Sequence, residues 1–231
     1  EGGGAVHAIW GTLLITLIAA IISVPIGLMT AIYLIEYGQE KRLARAITFL
    51  VDVMTGIPSI VAGLFAYALF ALIFGPGVRM GFAGAVALSV LMIPVVVRSS
   101  EEMLRLVPNE LREASYALGV PKWLTIVKVV LPTSIAGITT GVMLAIARVI
   151  GETAPLLITA GFTDAMNQNL FDGRMQTLPV YIYSQYAYKG IPPEAYVDRA
   201  WAAALTLILI VMTLNLIARI VAKVFAPKTG R

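Results

Sequence analysis

The stretch LAIARVIGETAPLLITAG, residues 144–161, carries Arg148 and Glu152 four positions apart in an otherwise apolar run. On a continuous helix that spacing puts both groups on one face. A charged group at the centre of a bilayer costs about 2.5–3.5 kcal/mol on insertion scales, so such residues face a bundle interior or a wet path. Two readings follow. In the first, the pair neutralises itself and locks two helices together. In the second, the planar arginine fork meets two oxygens of an oxyanion. Glu152 beside it then accepts from the hydroxyl of a protonated phosphate and repels fully deprotonated anions such as sulfate. Gly151 and Pro155 weaken helical hydrogen bonding between and after the two charges, which frees backbone groups toward a path.

A second stretch, REASYALGVPKWLTIVKVVLP at 112–132, has a different chemistry. Pro108 suits the start of a helix, Asn109 to Leu118 continue it, and Gly119 is a left-handed stop. Trp123 to Val130 then read as a second short helix, closed by Pro132. Leu111, Ala114, Ser115 and Leu118 share one face at helical spacing. A short helix, a sharp turn and another helix suit a docking surface. The plainer reading is an interfacial amphipathic connector.

The elements that position these residues are membrane spans. Of 231 residues, 59% are hydrophobic and 13% charged, about half the charged share of a soluble domain. Five apolar runs are long enough to cross or nearly cross a bilayer: 8–35, 47–74, 82–97, 134–158 and 200–222. Pro25 and Gly27 are expected to kink the first. Twelve Lys and Arg fall in 36–46, 98–132 and the tail from Arg219, against four in the alternate connections, which places the first group in the cytoplasm. The N-terminus then faces outward, and a further span preceding Glu1 is expected. The net charge of +4 reflects this topology rather than nucleic-acid binding. Cysteine is absent and His7 is the single histidine, so thiolate chemistry and a histidine metal cluster are excluded. The whole chain, 1–231, reads as one transmembrane domain with a cytoplasmic segment 100–132 and an extracytoplasmic segment 159–198.

Other residues leave alternatives open. Asp52 either pairs with a Lys or Arg of the adjacent loop or joins a gate. The break at Gly56-Ile57-Pro58-Ser59 is a hinge lining a path or a packing kink. Arg98 either lines a route or snorkels from a span end. Tyr181, Tyr183, Tyr186 and Tyr188 read as an interfacial belt, and Asp164, Asp172 and Arg174 as candidates for docking an external protein.

Glu113-Ala114-Ser115, then Gly119, then Val129-x-Leu131-Pro132 resembles the EAA loop of importer-type ABC permeases, with Ser115 for the second Ala and Val129 for Ile. GIPSIVAGLF at 56–65, ARVIGETAPLL at 147–157 and MQTLPVYIY at 175–183 are similar to permeases of the PstA type from phosphate importers. The sister PstC type has a like Arg-x-x-x-Glu-Thr element, but Ala-Pro after Glu-Thr favours PstA. The resemblance implies an all-α, polytopic type I ABC importer permease fold in the prokaryotic cytoplasmic membrane. It implies that Arg148, Glu152 and Arg98 line the phosphate route. Glu113, Ala114, Ser115, Gly119, Leu131 and Pro132 would couple the spans to an ATPase. The implied partners are a PstC-type permease, two ATPase subunits, an extracytoplasmic phosphate-binding protein and lipid. No G-x-x-x-x-G-K-[ST] loop occurs in the chain. The chain is therefore expected to be no enzyme and to bind no cofactor, with ATP at its partner. A permease for sulfate or molybdate, an ion-coupled secondary transporter and a membrane scaffold are the rival readings.

Overall fold

A computed structural model describes residues 4–38 and 41–225, and every regular element among them is helical. Helix α1, Val6–Ile32, continues through a π-turn at Tyr33–Tyr37. It runs through Pro25 as one element. Gly27 serves close approach, since a Cβ there would lie 2.7 Å from Val96.

The second apolar run is not one straight span. It divides into α2, Arg42–Thr55, and α3, Ser59–Phe74, bent by 109° at the GIPS break. Pro58 disfavours helical geometry at Ile57 and has no N–H to continue the ladder, which explains the position of the break. Helix α4, Gly81–Arg105, extends eight residues past the expected end at Val97. Arg98 and Glu101 therefore belong to a helix and not to a connecting loop.

The segment expected in the cytoplasm holds α5, Asn109–Ala117. The next helix does not end at Pro132. Helix α6, Lys122–Thr125, passes through a π-turn at Ile126–Val130 into α7, Leu131–Val149. The Leu131 N–H reaches Ile126 O, a wider loop than an α-turn. That widening relieves the clash a proline makes with the preceding turn, so the helix continues through Pro132.

Helix α8, Ala154–Thr159, follows a break at residues 150–153. The outer segment holds α9, Leu178–Ala187, and α10, Pro193–Phe225, closes the described chain. Four helical runs are long and apolar enough to cross a membrane, and the bent α2–α3 pair makes a fifth if it counts as one span.

Helix α4 is the centre. Ala85, Leu88, Met92 and Val96 pack against Ile15 and Ala19 of α1, with Val149 and Leu156 on the other side. Lipid is as apolar as leucine, so these contacts gain from closeness rather than from escape from water. Small residues provide that closeness: Ala83, Gly84, Ala85 and Ala87 on α4 are all buried. By contrast α10 exposes Trp201, Leu205, Ile208, Leu209, Met212 and Leu216, a face fit for lipid or a second membrane subunit.

The resemblance motifs meet in space. A Cβ at Gly63 of α3 would lie 2.6 Å from Pro155 Cα of α8, so GIPSIVAGLF and GETAP pack backbone to backbone. Met175, Gln176, Thr177 and Leu178 are buried against the outer end of α1. There the Leu178 N–H donates to Thr12 Oγ1 at 2.8 Å, and His7 Nε2 lies 3.2 Å from Gln176 Oε1. His7 is thus a packing residue of the outer end.

Candidate functional site

Arg148 lies in the last turn of α7, and the helix closes one residue later at Val149. The Glu152 N–H turns back to Val149 O at 3.1 Å, outside any regular helix. The expectation that both share one helical face is therefore corrected. Gly151 lies in the turn between the two helices, and Pro155 in the first turn of α8 fixes where the helix restarts. No ion pair joins Arg148 to Glu152 among the described residues, so the self-neutralising lock is absent. Arg148 is exposed on this chain and Glu152 half-buried, each without a hydrogen-bond partner for its side chain among the described residues. An unpaired guanidinium on a span has to face a wet path or a second subunit.

Arg98 stands in a different setting. Its guanidinium donates to Glu101 Oε2 at 2.8 Å and to Asp52 Oδ1. Asp52 thus pairs with α4 and not with a loop cation. The bridge ties α2 to α4, and two carboxylates already neutralise Arg98 in this state.

Sequence reasoning missed a third charged cluster. Glu36, in the π-turn that ends α1, is buried and accepts from Arg112 Nε and Nη2 at 3.1 and 2.9 Å. Arg112 also donates to Leu104 O at 3.0 Å and Val107 O at 2.6 Å. Lys122 donates to the carbonyl of Glu36 and lies 5.0 Å from the centre of the Tyr37 ring. One guanidinium therefore fastens α5 to the ends of α1 and α4. The available signal was an isolated carboxylate closing a long apolar run, which demands a partner. Both charge clusters border one cavity of about 710 Å³, walled by Glu36, Asp52, Glu101 and Arg112 among others.

The helix, turn and helix expected over 109–130 are present, with one reversal of the expected face. Ser115 turns inward and bonds Thr125 Oγ1 at 2.8 Å, joining α5 to α6. Leu111, Ala114 and Leu118 do not follow it: Leu118 is 83% exposed, and Glu113 and Ala114 are exposed beside it. An apolar strip with one carboxylate thus faces outward from the cytoplasmic end. Gly119 has φ +76°, and a Cβ there would have nothing within 4 Å. Its N–H bonds Tyr116 O at 2.9 Å while that of Val120 bonds Ser115 O at 3.2 Å, the paired bonds of a Schellman stop. The left-handed backbone, and not crowding, requires glycine there.

A substitution separates those two demands. Gly119→Val should cost about 1–2 kcal/mol from the left-handed conformation alone. On the expectation that this segment docks on an ATPase, substrate carried per ATP hydrolysed should fall in a reconstituted complex, while Gly119→Asn, which tolerates that backbone, keeps the ratio. Full coupling in the valine variant would remove Gly119 from the docking geometry.

Comparisons with known proteins bear on the family and the fold. Residues 23–231 match the family model described as binding-protein-dependent transport system inner membrane component. The chain is 52% identical over 219 residues to the phosphate transport system permease protein PstA 1 of Mycobacterium tuberculosis, covering 95% of this chain and 70% of that protein. It is 42% identical over 227 residues to the PstA protein of Yersinia pestis, covering 98% and 74%. Among solved structures, the inward-facing MetNI methionine ABC transporter superimposes with a TM-score of 0.78 at 21% identity, covering 96% of this chain and 95% of the other. A bacterial alginate ABC transporter complex gives 0.69 at 15%, covering 100% and 82%. The last two establish the fold, and the sequence relatives the subfamily: this chain belongs to the binding-protein-dependent transport permeases and, among them, to the PstA permeases of phosphate transport systems.

Proposed function

We propose that Arg148 and Glu152 form the oxyanion-handling station of an ATP-driven phosphate importer in which this chain is a membrane-spanning permease subunit. The observation that carries the reading is an unpaired guanidinium at a helix break, with an unpaired carboxylate four residues on and no bond between them. Arg148 presents a two-pronged donor to phosphate oxygens, and Glu152 accepts from a phosphate hydroxyl. A dianion without a hydroxyl has nothing to donate there and meets repulsion. Arg98 enters the route only when Asp52 or Glu101 lets it go, which makes the α2–α4 bridge an inner gate.

The chain catalyses no reaction and binds no cofactor of its own in this reading. Two ATPase subunits hold ATP, and one receives the outward strip of Leu111, Ala114 and Leu118 with Glu113, while Leu131 and Pro132 sit where the coupling segment passes into α7. A PstC-type permease completes the path, and an extracytoplasmic phosphate-binding protein delivers the ion across the prokaryotic cytoplasmic membrane. Helix-in-groove docking suits this task because a short rigid helix carries movement without absorbing it.

The test is uptake of labelled phosphate by the reconstituted complex with sulfate and molybdate as competitors. Phosphate uptake should resist a large excess of either anion in the permease step. Competition by sulfate at equal concentration would overturn the role assigned to Glu152.

A further inference from the structure

Two more arginines converge at the opposite end of α8, and no element of the reading above uses them. Gly161, at φ +73°, directly follows α8. A Cβ at that position would lie 3.1 Å from Arg79 Cδ and 3.4 Å from Arg174 Cδ. Both stems therefore pass the same point, although 95 residues separate them in sequence. The backbone holds them there. The Met80 N–H bonds Thr159 O at 3.1 Å and the Met175 N–H bonds Ala160 O at 3.1 Å. Asn167 Nδ2 donates to Arg174 O at 2.9 Å and Asp172 O at 2.8 Å, which fixes the loop that carries Arg174.

Neither guanidinium has an ion-pair or hydrogen-bond partner among the described residues. Asp164 and Asp172 lie in the same outer segment, yet form no salt bridge with them. Helix capping does not explain the pair either. The carbonyls of Thr159 and Ala160 at the end of α8 are already taken by the two methionine N–H groups. Two arginine stems that pass one point bring two like charges within reach of a single anion, and an oxyanion with several acceptor oxygens can meet both. Arg79 is half-buried and Arg174 exposed, so the site opens to water on the extracytoplasmic side.

We infer that Arg79 and Arg174 form an outer oxyanion-receiving site that passes phosphate along α8 to Arg148. This rests on the phosphate reading of the Arg148 end. Helix α8 has six residues, about 9 Å of rise, and joins the Arg148–Glu152 break directly to Gly161. Two cationic stations lie at its two ends. That placement favours the transported ion over a lipid phosphate, which any arginine at a membrane surface can meet.

The test uses the whole complex in vesicles, with the binding protein and labelled inorganic phosphate. The Arg79→Gln/Arg174→Gln double variant should lose about tenfold of uptake, the loss of one charge-assisted contact to the ion. Docking of the binding protein and the anionic lipid retained by the purified complex should stay unchanged. The Arg79→Lys/Arg174→Lys variant, which keeps the charge without the fork, should fall between the double glutamine variant and the unaltered complex. If the glutamine variant does not assemble, the lysine variant decides alone, and full uptake by it overturns the site. Unchanged uptake, a parallel loss of docking, or uptake restored by added anionic lipid each overturns it as well. An unaltered complex that takes up no phosphate overturns the parent reading and this site together.

Discussion

Arg148→Ala is expected to lower phosphate uptake at least about 30-fold while the complex still assembles. The estimate takes the lower end of the roughly 2–5 kcal/mol lost when one partner of a desolvated charge contact is truncated, at 1.4 kcal/mol per tenfold. Assembly should survive because Arg148 makes no ion pair or side-chain hydrogen bond among the described residues, and its side chain is exposed. Removing it leaves no carboxylate stranded, unlike the loss of Arg98, which would strand Glu101 with a side chain only 5% exposed. Arg148→Lys keeps a positive charge but loses the planar fork, so uptake should fall less than in alanine and selectivity over sulfate should narrow. The readouts are labelled uptake in proteoliposomes and the yield of intact complex from size exclusion. Uptake near that of the unaltered protein in Arg148→Ala would exclude Arg148 from the route.

What was legible in the sequence follows the range of the interaction that sets it. Apolar runs announce spans because a bilayer demands about 20 residues of grease, and 8–35, 82–97 and 200–222 each reappear within one helical run, whereas 47–74 and 134–158 are each broken into two helices. Gly119 was legible because a left-handed stop is a local matter of one backbone. The 109° bend was visible only as a Pro58 break, since its angle depends on where α3 finds Pro155 of α8. Continuity through Pro132 was hidden because a π-turn, which no composition announces, relieves the proline. The same limit misplaced Glu152: a period of 3.6 assigns faces only while the helix lasts, and α7 closes at Val149. The Glu36–Arg112 contact spans 76 residues, so neither local spacing nor periodicity points to it.

That hidden contact carries the second large expectation. Arg112→Leu should destabilise the coupling end by about 3–5 kcal/mol, because Glu36 is left buried without its counter-charge. The carboxylate side chain is 4% exposed and Arg112 12%, so water cannot take over the lost interaction. Leu104 O and Val107 O each lose the Arg112 bond at the same time, which loosens α5 from the end of α4. Glu36→Gln should cost less, since an amide still accepts from Arg112 although the charge is gone. The Glu36→Leu/Arg112→Leu double variant leaves no unpaired charge and should recover part of the loss, as apolar replacement of buried pairs often does. Its thermal midpoint should therefore exceed that of Arg112→Leu. Transport distinguishes stability from coupling. If the guanidinium is the fastening that carries α5 movement into α1 and α4, the double variant regains folding but hydrolyses ATP with little uptake. Recovery of both folding and uptake would make the pair a stabilising contact alone, and motion would then reach the spans through the continuous Lys122–Val149 helix.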